Sequence, residues 1–310
     1  MLRIRRILFP TDFSETADHA FTWAAWLAEE YGAELLMLHA LVLHAADPAD
    51  PDHRFPDLEE AHEALSHWAD DRMRAVLESH DPADVPVRIE QRRGISPGPT
   101  IVEHGREREA DLVVMGTHGR RGLRHMLLGS VAEEVVRTSE RPVLTVPRRS
   151  EGRRAGRIDS VLVPVDFSEH AVAALSHARH LAETAGARLD VLHVLETVAY
   201  PDAYLAFATP SPADDASPDA VRAELERMVA GAPGPDVPTE LHVTTGRPAS
   251  EIPSFVEERD TDLLVIASHG LTGLERVLLG SVTERVIRRS ACPVFTVKSF
   301  GTSLLPDDRG

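Results

Sequence analysis

Short apolar runs alternate with longer stretches of helical periodicity along the first half of the chain. Apolar runs bounded by proline or glycine are typical of strands buried on both faces, whereas apolar positions three and four apart favour helices. Strands are predicted at Ile7–Phe9 with Ile4, Glu34–Leu43, Val87–Gln91, Leu112–Met115 and Val143–Val146. The first predicted helix follows Ser14, its N-cap, and runs to Tyr31, where Gly32 ends it. Further helices are predicted at Leu58–Ser79, near Pro99–Glu109 and before the last strand. A proline-rich loop is predicted at 44–57.

The second half of the chain repeats the first. Residues 7–43 align without gaps on 161–197 with 18 identities in 37 positions, and 111–147 align on 262–298 with 20 identities in 37. A period of about 150 residues indicates a duplicated domain rather than a solenoid. Each copy is predicted to be an open, mostly parallel five-stranded α/β sheet with helices on both faces, a Rossmann-like fold. The predicted domains are residues 1–149 and 158–300, with a polar linker at 150–157 and a tail at 301–310.

Length and composition fit two globular domains of ordinary size, because the chain has 310 residues, of which 43% are hydrophobic and 27% charged. No apolar stretch reaches the length of a membrane-spanning helix, and the first residues do not resemble a signal peptide. The single cysteine, Cys292, excludes an intramolecular disulfide. Together these features predict a cytoplasmic protein that does not bind a membrane.

The charge of the chain points away from nucleic acid as a partner. The chain has 50 acidic and 33 basic residues and a net charge of −17, divided as −8 over residues 1–150 and −9 over the remainder. An acidic chain whose basic residues are not segregated is a poor nucleic-acid binder, because neutralisation of phosphates supplies most of the non-specific affinity. Lys298 is the only lysine. This indicates either a coding bias towards arginine or a lysine-poor surface suited to high salt.

Glycines follow the fourth predicted strand of each copy in a pattern suited to an anion. In the first copy the pattern Gly-x2-Gly-x9-Gly-Ser spans residues 116–130, and its Gly-Ser pair opens a helix. Glycine lets backbone N–H groups approach an anion, and a helix start offers free N–H groups and the positive end of the helix dipole. Asp12 follows the first strand and His39 lies at the end of the second. Both are therefore predicted to face the same crevice at the carboxyl edge of the sheet.

The chain resembles the universal stress protein family over residues 1–148 and 158–298, through this glycine pattern, PTDFSE and PVDFSE, LHA and LHV, and RPVLTV and CPVFTV. The resemblance implies a fold like that of the adenine nucleotide alpha hydrolases and a crevice that holds ATP, with or without Mg²⁺. In the first copy it implies binding by Pro10, Asp12, Ala40, Gly116, Thr117, His118, Gly119, Arg120, Arg121, Gly122, Gly129, Ser130, Val131 and Ala132. In the second copy the matching residues are Pro164, Asp166, Val194, Ala267, Ser268, His269, Gly270, Leu271, Thr272, Gly273, Gly280, Ser281, Val282 and Thr283.

The two copies differ where the phosphates of ATP would lie. Ala267 replaces Gly116, which costs about 1 kcal/mol if the position needs a positive φ and little if it needs only a small side chain. The first loop has arginines at positions 120, 121 and 124, whereas the second has only Arg276. Because arginine pairs strongly with phosphate, both sites are expected to accept ATP and the first to bind it more tightly.

Some of these residues have simpler interpretations. Asp12 and Asp166 are also explained as caps of the helices that follow, and His118 and His269 as solvated loop residues. Histidines are frequent in the first half and suggest zinc, but their spacing fits no local ligand set. These histidines are His39, His44, His53, His62 and His67.

Three functions remain open at this point. The first is a nucleotide-binding stress-response module in which ATP occupancy changes a partner or oligomer surface, with at most slow hydrolysis because no residues position an attacking water. The second is a phosphotransferase or nucleotidyltransferase of the same fold, with Asp12 and His118 near the triphosphate. The third is a scaffold that keeps only the fold. The chain has no P-loop and no dinucleotide fingerprint, which favours the first function.

The family resemblance also implies association through the last strand of each copy, Arg141–Pro147 and Ala291–Lys298. An exposed apolar edge strand is a liability that pairing relieves. The two copies are therefore expected to pair as an intrachain pseudo-dimer, with a homodimer of chains as a further option. The loops at 44–57 and 200–218 differ most between the copies and are candidates for partner specificity.

Overall fold

The computed structural model describes residues 1–42, 58–82, 84–117, 128–148, 157–196, 218–270 and 279–306. The first copy contains β1 (Arg6–Pro10), α1 (Glu15–Tyr31), β2 (Glu34–Leu41), α2 (Leu58–His80), β3 (Val87–Arg93), α3 (Pro97–Glu107), β4 (Leu112–Gly116), α4 (Ser130–Thr138) and β5 (Val143–Val146). The second contains β6 (Ser160–Pro164), α5 (Glu169–Ala185), β7 (Arg188–Leu195), α6 (Pro218–Gly231), β8 (Thr239–Thr245), α7 (Pro248–Glu258), β9 (Leu263–Ala267), α8 (Ser281–Arg289) and β10 (Val294–Val297).

The strands of both copies form one continuous sheet. Within the described residues its order is β3-β2-β1-β4-β5-β10-β9-β6-β7-β8. Neighbouring strands are parallel within each copy, which confirms the predicted fold class. In each copy the strand order reverses beside the first strand, between β1 and β4 and between β6 and β9. Ligands of open α/β sheets bind beyond the carboxyl ends of the strands at such a point.

The two copies meet at their last strands. β5 and β10 are antiparallel, with Val294 opposite Thr145 and Phe295 opposite Leu144. These are the strands expected to pair, and the pairing covers an edge that each copy alone would expose. On one face of the sheet Arg288 of α8 also contacts Glu133 of α4 at 2.8 Å.

Helices cover both faces of the sheet and enclose two cores. One core holds side chains of α1, α2, α5 and α6, including Phe21, Met73 and Leu225. The other holds side chains of α3, α4, α7 and α8, including Ile101 and Val286. Successive strand residues point to opposite cores, which explains why the strands are apolar throughout rather than alternating.

Local signals set the ends of the first helix in each copy. Ser14 accepts a hydrogen bond from the Ala17 N–H at 3.2 Å, and Gly32 ends α1 in the left-handed conformation with φ 60°. Ser168 and Gly186 act in the same way on α5. Both ends of α1 agree with the sequence prediction.

Other predicted boundaries are wrong by about one helical turn or less. β1 begins at Arg6 and leaves Ile4 outside, β2 ends at Leu41, and β3 continues to Arg93. α3 runs from Pro97 rather than Pro99, because proline suits the first turn of a helix and the preceding Ser96 is extended. It ends before Glu109, whose φ of 52° cannot continue a helix. The loop predicted at 44–57 and most of that at 200–218 lie outside the described residues.

Candidate functional site

Asp12 and Asp166 lie just beyond the carboxyl ends of β1 and β6, at the points where strand order reverses. The Asp12 carboxylate accepts a hydrogen bond from the Ser14 N–H at 3.1 Å. Asp166 accepts from the Ser168 N–H at 3.1 Å and from its hydroxyl at 2.6 Å. The caps of the helices are therefore the serines, and the aspartates hold the turn that leads into them.

Phe13 and Phe167, between each aspartate and its serine, were not predicted as part of the site. Both adopt a positive φ of 63°, a rare conformation for a bulky side chain and one that concentrates at functional sites. The Phe13 ring packs on His39 with a centroid distance of 4.7 Å, and the Phe167 ring on His193 at 4.4 Å. The sequence signal for both phenylalanines is the segment DFSE, which is identical in the two copies.

His39 and His193 tie the second strand of each copy to the aspartate turn. The Nδ1 atom of His39 lies 2.8 Å from the Thr11 carbonyl oxygen, and that of His193 lies 2.9 Å from the Val165 carbonyl oxygen. This contact joins the LHA and LHV segments to the turn, and Ala40 and Val194 directly follow the two histidines near the ends of β2 and β7. In the first copy Trp68 of α2 adds an edge-on contact to Phe13 at 5.2 Å.

Gly116 and Ala267 occupy equivalent positions at the ends of β4 and β9. A Cβ on Gly116 would lie 3.0 Å from the Thr16 backbone carbon in the first turn of α1. Neither residue has a positive φ. The close approach of α1, rather than a glycine conformation, therefore excludes a side chain at Gly116, whereas the backbone conformation of Ala267 is open to other residues.

Gly129 and Gly280 are the N-caps of α4 and α8, as the glycine pattern predicted. The Gly129 N–H donates to the Thr117 carbonyl at 2.7 Å, and the Gly280 N–H to the Ser268 carbonyl at 2.9 Å. A glycine cap has no side chain to accept from the first turn, so the N–H groups there remain directed beyond the helix start. Ser130 and Ser281 follow at the first helical positions, and both are exposed.

The next two residues of each helix differ in their surroundings. Val131 and Val282 are half-buried, and Ala132 is buried. The Thr283 hydroxyl donates to the Ala267 carbonyl at 2.8 Å. The hydroxyl proton is therefore engaged with β9, so the donor that Thr283 can offer to a ligand is its backbone N–H.

The loop after β9 contacts the aspartate turn directly. A Cβ on Gly270 would lie 2.2 Å from the Asp166 Oδ2 atom. The backbone of the glycine loop and the carboxylate after β6 therefore approach as closely as atoms allow, which only glycine permits. Two motifs about 100 residues apart in sequence are brought together at one edge of the sheet, and Pro10 and Pro164 end the strands that lead there.

His269 is buried between this loop and the end of the chain. Its Nδ1 atom lies 3.1 Å from the Ser268 hydroxyl, and its Nε2 atom has no hydrogen-bond partner among the described residues. Burial lowers the pKa of His269, and the neighbouring His170 and Lys298 lower it further. Because the side chain is buried, the interpretation of His269 as a solvated loop residue is wrong.

Part of the predicted site lies outside the described residues. This part comprises His118, Gly119, Arg120, Arg121 and Gly122 in the first copy and Leu271, Thr272 and Gly273 in the second.

A possible metal cluster lies elsewhere, on β7 and β8. Asp190, Glu240 and His242 place ligand atoms within 4.8 Å of one another. However, Arg259 Nη2 lies 3.3 Å from His242 Nδ1, and Arg188 lies 3.3 Å from the buried Asp190 carboxylate. A guanidinium needs an acceptor at Nδ1, so Nε2 carries the proton and donates it to Asp190 at 2.8 Å. Within the described residues, these side chains are therefore engaged by each other and by two arginines in a hydrogen-bonded ion-pair network.

A cavity of about 150 Å³ lies at the opposite, amino-terminal edge of β1–β3. It is lined by Arg6, Glu34, Leu36, Arg88, Glu107 and Arg108. Glu34 pairs there with Arg88 at 3.0 Å and with Arg6 at 3.6 Å. These partly exposed pairs account for the polar lining, and the cavity is remote from the crevice where strand order reverses.

The fold and the site define a tandem α/β protein whose two halves each bring an aspartate turn and a glycine-capped helix to one crevice. A model of the universal stress protein family matches residues 3–147 and again residues 157–298. The chain belongs to the universal stress protein family and contains two copies of its domain.

Relatives agree with this membership, and a solved structure shares the fold. The chain is 28% identical over 299 residues to a universal stress protein of Mycolicibacterium smegmatis, covering 94% of this chain and 96% of the relative. It is 32% identical over 141 residues to one of Methanocaldococcus jannaschii, covering 44% and 81%. The crystal structure of a universal stress protein from Archaeoglobus fulgidus has the same fold, with a TM-score of 0.68, 24% identity and coverage of 95% and 96%. Among the described residues, no helix is long and apolar enough to cross a membrane.

Proposed function

We propose that this chain is a nucleotide-dependent regulatory module of the stress response, in which each domain binds ATP and hydrolysis is slow at most. The proposed domains are residues 1–149 and 158–300. The observation that carries the proposal is the approach of Gly270 to the Asp166 carboxylate, together with a glycine-capped helix directed at the same crevice. Backbone N–H groups at such a helix start favour phosphate, and a carboxylate can accept hydrogen bonds from ribose hydroxyls.

The first copy is proposed to hold ATP more tightly. Its sequence has three arginines between positions 120 and 124, whereas the second has Arg276 alone. In the first copy Trp68 and Phe13 also offer apolar surface beside the turn that Asp12 holds. A purine base gains stability from such surface, while the arginines neutralise the phosphates.

Calorimetric titration of the pure chain with ATP tests the proposal, with two sites per chain as the expected result. Ser130→Ala removes a hydroxyl from the start of α4 and should weaken the first site. Ser281→Ala removes one from the start of α8 and should weaken the second site. Thr138→Ala, at the far end of α4, serves as the matched control and should bind as the wild type does.

Three outcomes would contradict parts of the proposal. A larger loss from Ser281→Ala than from Ser130→Ala would reverse the order of the two sites. Turnover of many ATP molecules per minute that Asp12→Asn abolishes would make the chain an enzyme. If neither site binds nucleotide and the purified protein contains none, the chain is a scaffold that keeps only the fold.

A further inference from the structure

The only lysine of the chain lies at the edge of the second site. Lys298 follows β10, and β9 beside it leads into Ser268 and His269. The Ser268 N–H donates to the Val297 carbonyl at 2.8 Å, and the Ser299 N–H donates to the Ser268 hydroxyl at 3.1 Å. The backbone at Lys298 is therefore fixed against the loop that approaches Asp166.

The lysine side chain extends from the second copy into the first. Its amine donates to the Val136 carbonyl in the last turn of α4 and lies 5.9 Å from the centroid of the Phe300 ring. The same ring lies 6.1 Å from that of His269. The amine is thus bound at the negative end of the α4 dipole, while the backbone on either side of Lys298 contacts Ser268 beside the second crevice.

Burial lowers the pKa of Lys298 to about 7. On the loop after β9, His269 is the titratable group that interacts with the amine. Burial lowers the pKa of His269, and His170 in the first turn of α5 and Lys298 lower it further. On α4 and α8, Glu133 and Arg288 are paired with each other at 2.8 Å, and Arg288 also pairs with Glu284 at 2.9 Å. β5 has no titratable side chain. The protonated fraction of the amine near neutral pH should therefore change when an anion binds close to it.

The second loop lacks the cations that the first loop has. Three arginines occur between positions 120 and 124 of the first loop, and Arg276 alone occurs in the second. At the position of Lys298 the first copy has Pro147. The copy with fewer arginines is thus the one with a lysine beside its loop.

We propose that Lys298 is the additional cation of the second site and that it takes up a proton when a polyphosphate binds there. The inference rests on the proposed function, because it assumes that the second crevice accepts phosphate. An anion stabilises the ammonium form, so binding shifts the titration of the amine to higher pH. By linkage, affinity at the second site rises as pH falls through the interval between the free and the bound titration midpoints. The first site has no such lysine.

The single lysine makes this directly measurable. Protein labelled with ¹³C-lysine has one side-chain Cε resonance, whose pH titration is recorded alone, with inorganic tripolyphosphate and with ATP. The expected midpoint is about 7 in the free protein. It should rise by roughly one unit or more with either ligand. Calorimetry at pH 8 in two buffers of different ionisation enthalpy should show uptake of a fraction of a proton per chain, and Lys298→Met should remove that uptake.

Variants of the two sites show which site causes the change in the lysine titration. Ser281→Ala should weaken the response of the lysine resonance, whereas Ser130→Ala should leave it intact. The reverse pattern, or an unchanged midpoint at a tripolyphosphate concentration that gives measured binding heat, would overturn the inference. If ATP does not bind but tripolyphosphate still raises the midpoint, the nucleotide function fails and the proton-coupled anion site stands. If neither ligand binds, both fail. The titrations of the wild-type protein decide the matter even if Lys298→Met does not fold.

Discussion

At the scale of single residues, the second copy buries histidine where the first has tryptophan. His177 aligns with Trp23 and His180 with Trp26. His177 Nδ1 lies 2.7 Å from the Ala173 carbonyl oxygen, and its Nε2 atom has no hydrogen-bond partner among the described residues. Burial lowers the pKa of His177 to about 4. A buried imidazole in this setting accepts a proton only at a cost to the folded state.

Acid should therefore destabilise the protein through His177. Below pH 6.5 the unfolded chain binds a proton at this residue that the folded chain does not bind until about pH 4. The free energy of unfolding is thus unaffected by His177 above pH 6.5. It falls as the pH drops from 6.5 towards 4, by about 3 kcal/mol at most. Urea denaturation of wild type and His177→Leu across pH 4–7 measures the difference. His67→Leu, at an exposed position of α2, should keep the wild-type dependence, and equal profiles for all three proteins would refute the assignment.

The contact between Gly270 and Asp166 should matter for binding more than for folding. A Cβ at position 270 would lie 2.2 Å from the end of a short side chain, so the Asp166 carboxylate must move while the backbone remains. Gly270→Ala should weaken nucleotide binding at the second site by roughly tenfold, about 1.4 kcal/mol, with little change in melting temperature. Calorimetry with ATP measures this. Gly231→Ala, where a Cβ meets no atom within 4 Å, is the matched control, and equal affinities in the two variants would contradict the prediction.

At the scale of the elements, much was predictable because local rules set them. Serine caps, left-handed glycines and apolar runs gave α1 and most strands, since these signals lie within a few residues of the element they define. The positive φ of Phe13 was not predictable, because no local preference of phenylalanine favours it. The burial of Lys298 was missed for a different reason: its partner, Val136, is 162 residues away in sequence.

The packing of α1 on β4 depends on Gly116. A Cβ there would lie 3.0 Å from the backbone carbon of Thr16 and 3.0 Å from its Cγ2 atom, so the first turn of α1 would have to shift. Gly116→Ala should destabilise the protein by about 1–3 kcal/mol, the usual cost of overpacking. Thermal denaturation measures the loss. Adding Thr16→Ala relieves the contact with the side chain but not that with the backbone, so rescue should be partial, and full rescue would show that the backbone contact is unimportant.

At the scale of the whole molecule, the residues after β10 join the second copy to the first. The sequence assigned residues 301–310 to a tail, yet 301–306 pack against the first copy. The Thr302 N–H donates to the Glu140 carbonyl at 3.1 Å, and the Arg3 N–H donates to the Leu304 carbonyl at 2.7 Å. Leu304 is fully buried. Together with the β5–β10 pairing, this segment joins the two copies by backbone hydrogen bonds.

Leu304→Ala should therefore destabilise the first copy, although residue 304 follows the second copy in the sequence. Truncating a buried leucine costs about 2–5 kcal/mol, and here the lost contacts belong to a core that includes Leu2 and Ile4. The melting temperature should fall, and the Arg3 amide, which donates to residue 304, should exchange faster with deuterium. Leu305→Ala, at a partly buried position beside it, should have the smaller effect on both. If the Arg3 amide stays as protected in Leu304→Ala as in wild type while the melting temperature falls, the loss is confined to local packing and this segment does not hold the copies together.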